Sequence, residues 1–241
     1  DTKMTINTKT LAAIDIGTNA IRLFISNVEE YPTETLFKKI AFLRVPIRLG
    51  EDVFTTGEIG QQKGKRLCET MQGFSYIMSA FNVESYKAYA TCAMREARNG
   101  KSVAEQIQKE CDLNIEIISG TKEAETIFAG GMNEVVDDDK TYLYVDVGGG
   151  STEVIVYSKS VKVEACSFPL GTVRMLNDAV DKEKMKHFKK WLKNITEKYT
   201  PDAIIGSGGN INKIHKLLNK KERERITYQE LDILCRCASR I

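Results

Sequence analysis

Two stretches of the chain share one pattern: an apolar run, an aspartate, a glycine turn and a second apolar run. They occupy residues 11–26 and 141–157. β-Branched and aromatic residues on both sides of each turn predict a hairpin of two buried strands. Asp15 and Asp146 take the same place in the two stretches, each followed two residues later by glycine. This repeat, at half the chain length, predicts two similarly built lobes, in preference to two unrelated hairpins.

The remaining hydrophobic pattern predicts further strands and helices of an α/β protein. Apolar residues at positions 67, 71, 74, 78 and 81 have the spacing of one helix face. Pro46 interrupts a strand predicted at 40–49 and favours an edge position for it. Further strands are predicted at 86–91, 114–118 and 161–168, and helices at 103–111, 122–130, 188–199 and 228–241. A strand, a glycine loop and a helix are predicted over residues 203–214.

Composition and charge narrow the chemistry. The chain has 241 residues with a net charge of +2, which gives no global field for nucleic acid or a membrane surface. Its apolar runs fall short of the roughly 20 residues that a membrane span needs. Six scattered cysteines without a CxxC pair predict reduced thiols in a cytoplasmic protein. The chain has only two histidines, which argues against a zinc site or a Ser-His triad. Carboxylates and a bound metal are therefore the favoured groups for any catalysis.

Three glycine turns are candidates for binding phosphate. Gly148, Gly149 and Gly150, followed by Ser151, present a row of backbone N–H groups. Asp146 and Glu153 flank this turn, where hard oxygen ligands suit magnesium. A third turn, at residues 206–209, precedes a predicted helix, whose amino end favours anions.

Two residues between the hairpins have two interpretations each. Arg95 follows a predicted strand end, where it either faces an anion or lies on a solvated turn. Glu123 lies in the first turn of a predicted helix, where complementing the helix dipole is the simpler interpretation. Six lysines between residues 182 and 193 are interpreted as a solvated helix face.

Taken together, these features favour phosphoryl chemistry. Such chemistry needs donors around phosphate oxygens, a metal that offsets charge, and a carboxylate that activates the attacking group. The chain lacks a GxxxxGK[ST] motif, so it is not a P-loop enzyme.

The chain resembles the exopolyphosphatase and guanosine pentaphosphate phosphohydrolase (Ppx/GppA) family of the actin-like ATPase and sugar kinase superfamily. The resemblance rests on six motifs in the order of that family, which together are specific. They are AIDIGTN (13–19), ATCAMREARN (90–99), ISGTKEA (118–124), VDVGGGSTE (145–153), FPLGTVR (168–174) and GSGG (206–209). The fold that this implies is α/β, with two ribonuclease-H-like lobes, mixed sheets and a cleft between them. We place the lobes at residues 5–121 and 122–241.

The resemblance also implies roles for individual residues. Glu123 matches the presumed catalytic base of the family, and Arg95 matches the arginine that faces substrate phosphate. The metal ligands implied, for Mg²⁺ or another divalent cation, are Asp146, Glu153 and Asp15. The phosphate-binding residues implied are Gly17, Thr18, Asn19, Arg95, Gly148, Gly149, Gly150, Ser151 and Gly208.

The chain departs from the pattern of the family in three places. Ala20 stands where a serine usually follows the asparagine, and Lys122 replaces one of two acids before the alanine. Loss of the serine hydroxyl is expected to weaken phosphate binding or to alter the preferred chain length. Members usually continue for some tens of residues past Ile241, so we expect a truncated second lobe.

The leading hypothesis is a magnesium-dependent hydrolase that releases terminal phosphate from inorganic polyphosphate, guanosine pentaphosphate or both. One alternative is an ATP-dependent kinase or ATPase of the same superfamily. Another is a non-catalytic sensor that binds polyphosphate or an alarmone, which Ala20 and Lys122 motivate. Neither nucleic acid nor a membrane is an expected partner, and a homodimer is left open.

Overall fold

The computed structural model of the protein describes residues 7–31, 34–129, 137, 139–159, 161–221 and 224–238. These residues form two mixed β-sheets with packed helices. The strands are β1 (Asn7–Ile16), β2 (Ile21–Glu30), β3 (Thr35–Val45), β4 (Ser85–Ala90), β5 (Glu116–Ile117), β6 (Thr141–Val147), β7 (Thr152–Ser158), β8 (Val161–Phe168) and β9 (Ala203–Ser207). The helices are α1 (Leu49–Thr56), α2 (Gln61–Ala80), α3 (Cys92–Glu96), α4 (Gly100–Cys111), α5 (Gly120–Ala129), α6 (Thr172–Leu176), α7 (Lys182–Tyr199), α8 (Gly209–Leu217) and α9 (Tyr228–Ala238).

The first sheet has the strand order β3-β2-β1-β4-β5. Strands β1, β2 and β3 form an antiparallel meander, and β4 and β5 add in parallel on the other side of β1. Helix α2 buries Leu67, Met71, Phe74 and Met78, so the predicted apolar face is confirmed. Phe81, the fifth member of that pattern, caps the helix and is 42% exposed.

The second sheet has the order β8-β7-β6-β9, and again its first three strands are antiparallel while β9 runs parallel to β6. On one face, Val154 and Val156 of β7 pack in a cluster that includes Ile195 of α7. On the other face, Ile155 packs with Ala124 of α5. Because both faces of β7 are covered, the strand is a continuous apolar run in the sequence.

The predicted α/β architecture with two similar sheets is confirmed, and several element boundaries are corrected. Strand β3 is an edge strand, as Pro46 indicates, but it covers residues 35–45 because proline cannot continue the ladder. Leu49, assigned to that strand, begins α1 instead. The strand predicted at 114–118 shortens to Glu116–Ile117. Arg95 lies in a short helix, α3, directly after β4.

The lobe boundary between residues 121 and 122 stays a prediction. Residues 5, 6 and 239–241, at the outer limits of the predicted lobes, lie outside the described residues. None of the helices in the described ranges is both long and apolar enough to cross a lipid bilayer.

Candidate active site

The glycine turns of the two hairpins contact each other where the two sheets meet. Thr18, in the turn between β1 and β2, is 5% exposed. A Cβ added at Gly150 would lie 2.8 Å from Thr18 Oγ1, and one added at Gly149 would lie 3.2 Å from Thr18 Cβ. The glycines of the second turn therefore leave the space that the threonine of the first turn fills. This close packing is a second reason for the glycine run, beyond the predicted phosphate binding.

The carbonyl groups of Gly148, Gly149 and Gly150 are directed toward helix α6 and its side chains. The first two N–H groups of α6 donate to Gly148 O at 3.0 Å and Gly149 O at 2.8 Å. Arg174 Nε donates to Gly150 O at 3.0 Å. In a trans peptide the C=O and the next N–H point in opposite directions. The N–H groups of Gly149, Gly150 and Ser151 therefore point away from α6, in a row that suits an anion.

The second hairpin carries two acids side by side, of which Glu153 is buried and Asp146 is half-buried. Asp146 and Glu153 are direct cross-strand partners, so their side chains share one face of the sheet. Burial raises the pKa of both carboxyls above their ordinary values. Glu153 is 2% exposed, and Ser167 Oγ donates to its Oε1 at 2.8 Å. Ser151 and Ser167 lower the pKa of Glu153 by hydrogen bonding, which opposes the effect of burial.

The third glycine turn, at residues 206–209, lies next to the carboxylate of Asp146. Gly208 has a φ of +92° and caps the amino end of α8. A Cβ at Gly208 would lie 2.7 Å from Asp146 Oδ1. Both the backbone conformation and the close approach to the carboxylate therefore require glycine.

The first hairpin has a different charge arrangement. Asp15 and Arg22 are direct cross-strand partners, and Arg22 Nη1 donates to Asp15 Oδ2 in an ion pair. Desolvation raises the pKa of Asp15, while Arg22 opposes this rise. The charge of Arg22 also lowers the pKa of Asp146. Arg22 therefore lies close enough to interact with acids of both hairpins.

Glu123, on the first turn of α5, is close enough to Glu153 and Asp15 for both charges to raise its pKa. Ser119 begins the helix, since its Oγ accepts from Lys122 N at 3.1 Å and its carbonyl accepts from Glu123 N at 2.9 Å. Burial, with a smaller effect of the Glu153 charge, raises the pKa of Glu123 to about 7. Arg95 Nη1 lies 3.3 Å from Glu123 Oε2 and opposes this rise. A carboxylate with this pKa can accept a proton at neutral pH.

The donor set fits magnesium held partly by substrate. No three His, Cys, Asp or Glu side chains converge as a metal site within the described residues. Magnesium in phosphoryl-transfer sites typically takes one or two carboxylates and completes its shell with phosphate and water. Asp146 and Glu153 match this requirement, because burial disfavours their charged forms and a cation would restore them. Asp15 is already paired with Arg22.

Two other residues have positions that bear on the predictions. Asn19 is exposed, and its carbonyl accepts from Arg48 N at 2.9 Å. Ala20, where a serine was expected, is 1% exposed. The roles assigned to these and to the other site residues stay predictions.

The sequence analysis missed Arg22 and Ser167. Aligning the two hairpins would have found Arg22, because it takes the position that Glu153 takes in the second. Ser167 becomes a neighbour of Glu153 only through the pairing of β7 with β8, which no local pattern reveals.

Comparisons with known proteins identify the family of the chain. The model of the Ppx/GppA phosphatase family matches residues 25–241. A bifunctional 3-dehydroquinate synthase/phosphatase of Fusobacterium nucleatum is 32% identical over 68% of this chain and 25% of its own length. A putative exopolyphosphatase of Haemophilus influenzae is 24% identical over 95% of this chain and 73% of its own length. Exopolyphosphatase 1 of Mycobacterium tuberculosis is 24% identical, and the chain spans 63% of its length.

Solved structures show the same fold. An exopolyphosphatase from Cytophaga hutchinsonii superposes with a TM-score of 0.77 at 25% identity, over 92% of this chain and 74% of that one. The Aquifex aeolicus member of the Ppx/GppA family superposes with a TM-score of 0.72 at 24% identity, over 98% of this chain and 80% of that one. The two-lobed α/β fold is therefore confirmed, and the chain belongs to the Ppx/GppA phosphatase family.

Proposed function

We propose that the protein is a magnesium-dependent phosphoanhydride hydrolase. Its substrate would be inorganic polyphosphate, guanosine pentaphosphate or both, and its product the released terminal phosphate. The observation that carries this proposal is Glu123, a half-buried carboxyl whose pKa is raised to about 7 and which lies 3.3 Å from Arg95. The names of the exopolyphosphatase relatives support polyphosphate as the substrate class.

In this mechanism the chain supplies a base and a set of anion donors. Glu123, when ionised, takes a proton from the attacking water, whose oxygen bonds to the terminal phosphorus. The bridging P–O bond breaks, and its electron pair leaves with the shortened chain. Arg95 and the row of N–H groups from Gly149 to Ser151 bind the phosphate oxygens and stabilise the charge that develops on them.

Asp146 and Glu153 would hold the magnesium ion, whereas Asp15, the third acid that we predicted as a ligand, is paired with Arg22. When bound, the ion would supply a positive charge that offsets the negative charge of the phosphate oxygens. Ser167 holds Glu153 in place through its 2.8 Å hydrogen bond.

The decisive experiment measures phosphate release in magnesium with long-chain polyphosphate, guanosine pentaphosphate and ATP as separate substrates. We expect release from at least one of the first two, and loss of release when a chelator removes magnesium. Production of ADP from ATP only with an added acceptor would replace the hydrolase with a kinase. Tight polyphosphate binding without turnover would replace it with a sensor.

A further inference from the structure

Arg174 is a buried cation whose contacts all lie where the two sheets meet. The residue is 5% exposed and belongs to α6, in the second half of the chain. Its Nη2 donates to both carboxylate oxygens of Glu96 at 2.8 Å, and its Nε donates to Gly150 O at 3.0 Å. The guanidinium carbon lies 4.0 Å from the centre of the Phe54 ring. One side chain therefore binds a phosphate turn of one lobe and two helices of the other.

Glu96 connects this cation to the substrate-facing arginine. It follows Arg95 directly in α3, a helix of only five residues. Because the two residues are adjacent in one short helix, we expect a shift of Glu96 to displace Arg95. Arg95 in turn lies 3.3 Å from Glu123.

A side chain kept only for packing would not need these partners. Burying the charge of Arg174 costs desolvation free energy, which only good geometry and additional hydrogen bonds offset. Here the guanidinium satisfies Gly150 O and Glu96 together and covers Phe54. Three separate elements of the molecule are thereby fixed at set distances from one another.

The geometry points to Arg174 as a positioning residue that sets the distance between the second glycine turn and Arg95. Through Gly150 it holds the row of N–H groups, and through Glu96 it holds the helix that bears Arg95. Both elements would grip the same chain of phosphates, so the pair of Arg174 and Glu96 determines how tightly that chain binds. This inference rests on the proposed function.

The test compares Arg174→Lys with wild type. Lysine keeps the charge but has a single nitrogen, so it cannot reproduce the planar geometry in which Nε bonds Gly150 O while Nη2 bonds Glu96. We expect KM for long-chain polyphosphate to rise about tenfold, the effect of losing one charge-assisted hydrogen bond, with kcat changed less than about threefold. A loss of folded protein alone would lower apparent kcat and leave KM unchanged. An unchanged KM would therefore overturn the inference.

Three further variants sharpen the test. Glu96→Gln keeps one acceptor oxygen, so a smaller rise in KM is expected, and it covers the case in which Arg174→Lys fails to fold. The double variant should bind polyphosphate no more weakly than Arg174→Lys does, because both changes disturb the same contact between Arg174 and Glu96. Fully additive losses of binding would contradict this. Arg98→Lys is the matched control, since Arg98 pairs with exposed Glu58 at 3.4 Å and should leave KM unchanged.

Failure of the inference and failure of the proposed function have different signatures. Titration calorimetry with long-chain polyphosphate, in the Glu123→Gln background, gives a dissociation constant without turnover. If wild type releases no phosphate but binds polyphosphate, the proposed hydrolase is wrong, and a tenfold weaker binding by Arg174→Lys still supports the positioning role. If wild type hydrolyses polyphosphate and Arg174→Lys binds it equally well, only the positioning role is wrong. Absence of any binding overturns both.

Discussion

The two hairpins repeat one backbone plan and differ in charge at one matched position. In the first, Asp15 faces Arg22, and in the second, Asp146 faces Glu153, each pair as direct cross-strand partners. Asp15 forms an ion pair with its neighbour Arg22. Asp146 instead has an acidic neighbour, and burial raises the pKa of both Asp146 and Glu153. The difference in residue type therefore pairs Asp15 with a cationic side chain and places two carboxyls together in the second hairpin, where they suit a bound cation.

The two turns also differ in the size of the side chains at their mutual contact. The first carries Thr18 and the second carries glycine at the facing positions, so a side chain from one fills the gap in the other. Two identical turns of either kind would not fit: two threonines would collide, and two glycine runs would leave a void. At this contact the two turns are therefore complementary in shape.

The largest expected effect concerns Glu123, whose pKa is raised by burial and by acids of both hairpins, Glu153 and Asp15. Glu123→Gln keeps the shape of the side chain but removes the base, so kcat should fall by about 10²–10⁴-fold. Phosphate release from polyphosphate gives the measurement. Glu125→Gln, on the exposed side of the same helix, is the matched control and should retain the wild-type rate. Equal rates for wild type and Glu123→Gln would remove Glu123 from its role.

The next effect tests the charge contrast directly. Asp146→Asn should raise the magnesium concentration for half-maximal activity by about tenfold or more. Asp15→Asn should raise it less, because Arg22 already pairs with that acid. Activity measured over a magnesium series gives both values. Equal shifts would show that the two acids serve the metal alike and would erase the contrast between the hairpins.

A third effect tests the difference in room. A Cβ at Gly150 would lie 2.6 Å from Cys92 Sγ and 2.7 Å from Phe54 Cζ. Gly150→Ala should therefore destabilise the protein by about 1–3 kcal/mol, the usual cost of overpacking. Gly17→Ala should cost less, since its nearest atom is Ala20 O at 3.1 Å.

Thermal unfolding measures both changes, and a loss of about 2–10 °C is expected for Gly150→Ala. Gly73→Ala is the control, because no atom lies within 4 Å of its added Cβ and alanine favours the middle of a helix. A larger loss for Gly17→Ala than for Gly150→Ala would reverse the comparison.

The smallest effect is a shift in pH dependence. Glu123 acts as a base only when ionised, so kcat/KM should fall about tenfold per pH unit below its pKa of about 7. Glu153→Gln removes a charge that raises this pKa, so the midpoint should move to lower pH. Asp15→Asn should move it in the same direction by less, because its influence on Glu123 is the weaker one. NMR titration of the Glu123 carboxyl carbon reports both shifts independently of activity.

Local pattern predicted much of the fold because its signals are local. The hairpins, the buried face of α2 and the edge position of β3 follow from spacing and from one proline. Helix α1 was missed because its signal is weak: it begins after Arg48 in a left-handed conformation, without a side-chain cap. The two-residue strand β5 owes its length to pairing with β4, a contact that its own sequence does not specify.

Site residues that lie beside a turn in the sequence were predicted. Those brought together only by the pairing of strands distant in the sequence were missed. Asp146, Glu153 and the glycines between them are neighbours in sequence, so their grouping was visible. Glu123 gained a special role only from the family resemblance, because its raised pKa arises from burial beside Glu153, which sequence spacing does not show.

The hydrogen bonds between α6 and the second turn provide a built-in reporter. The amides of Thr172 and Val173 donate to carbonyls of that turn at 3.0 Å and 2.8 Å. They can exchange with deuterium only when the turn and the helix separate, so their exchange rates measure the free energy of that opening. We expect a ligand that binds the turn to slow the deuterium exchange of both amides. Mass spectrometry of one short peptide would therefore detect occupancy without any turnover.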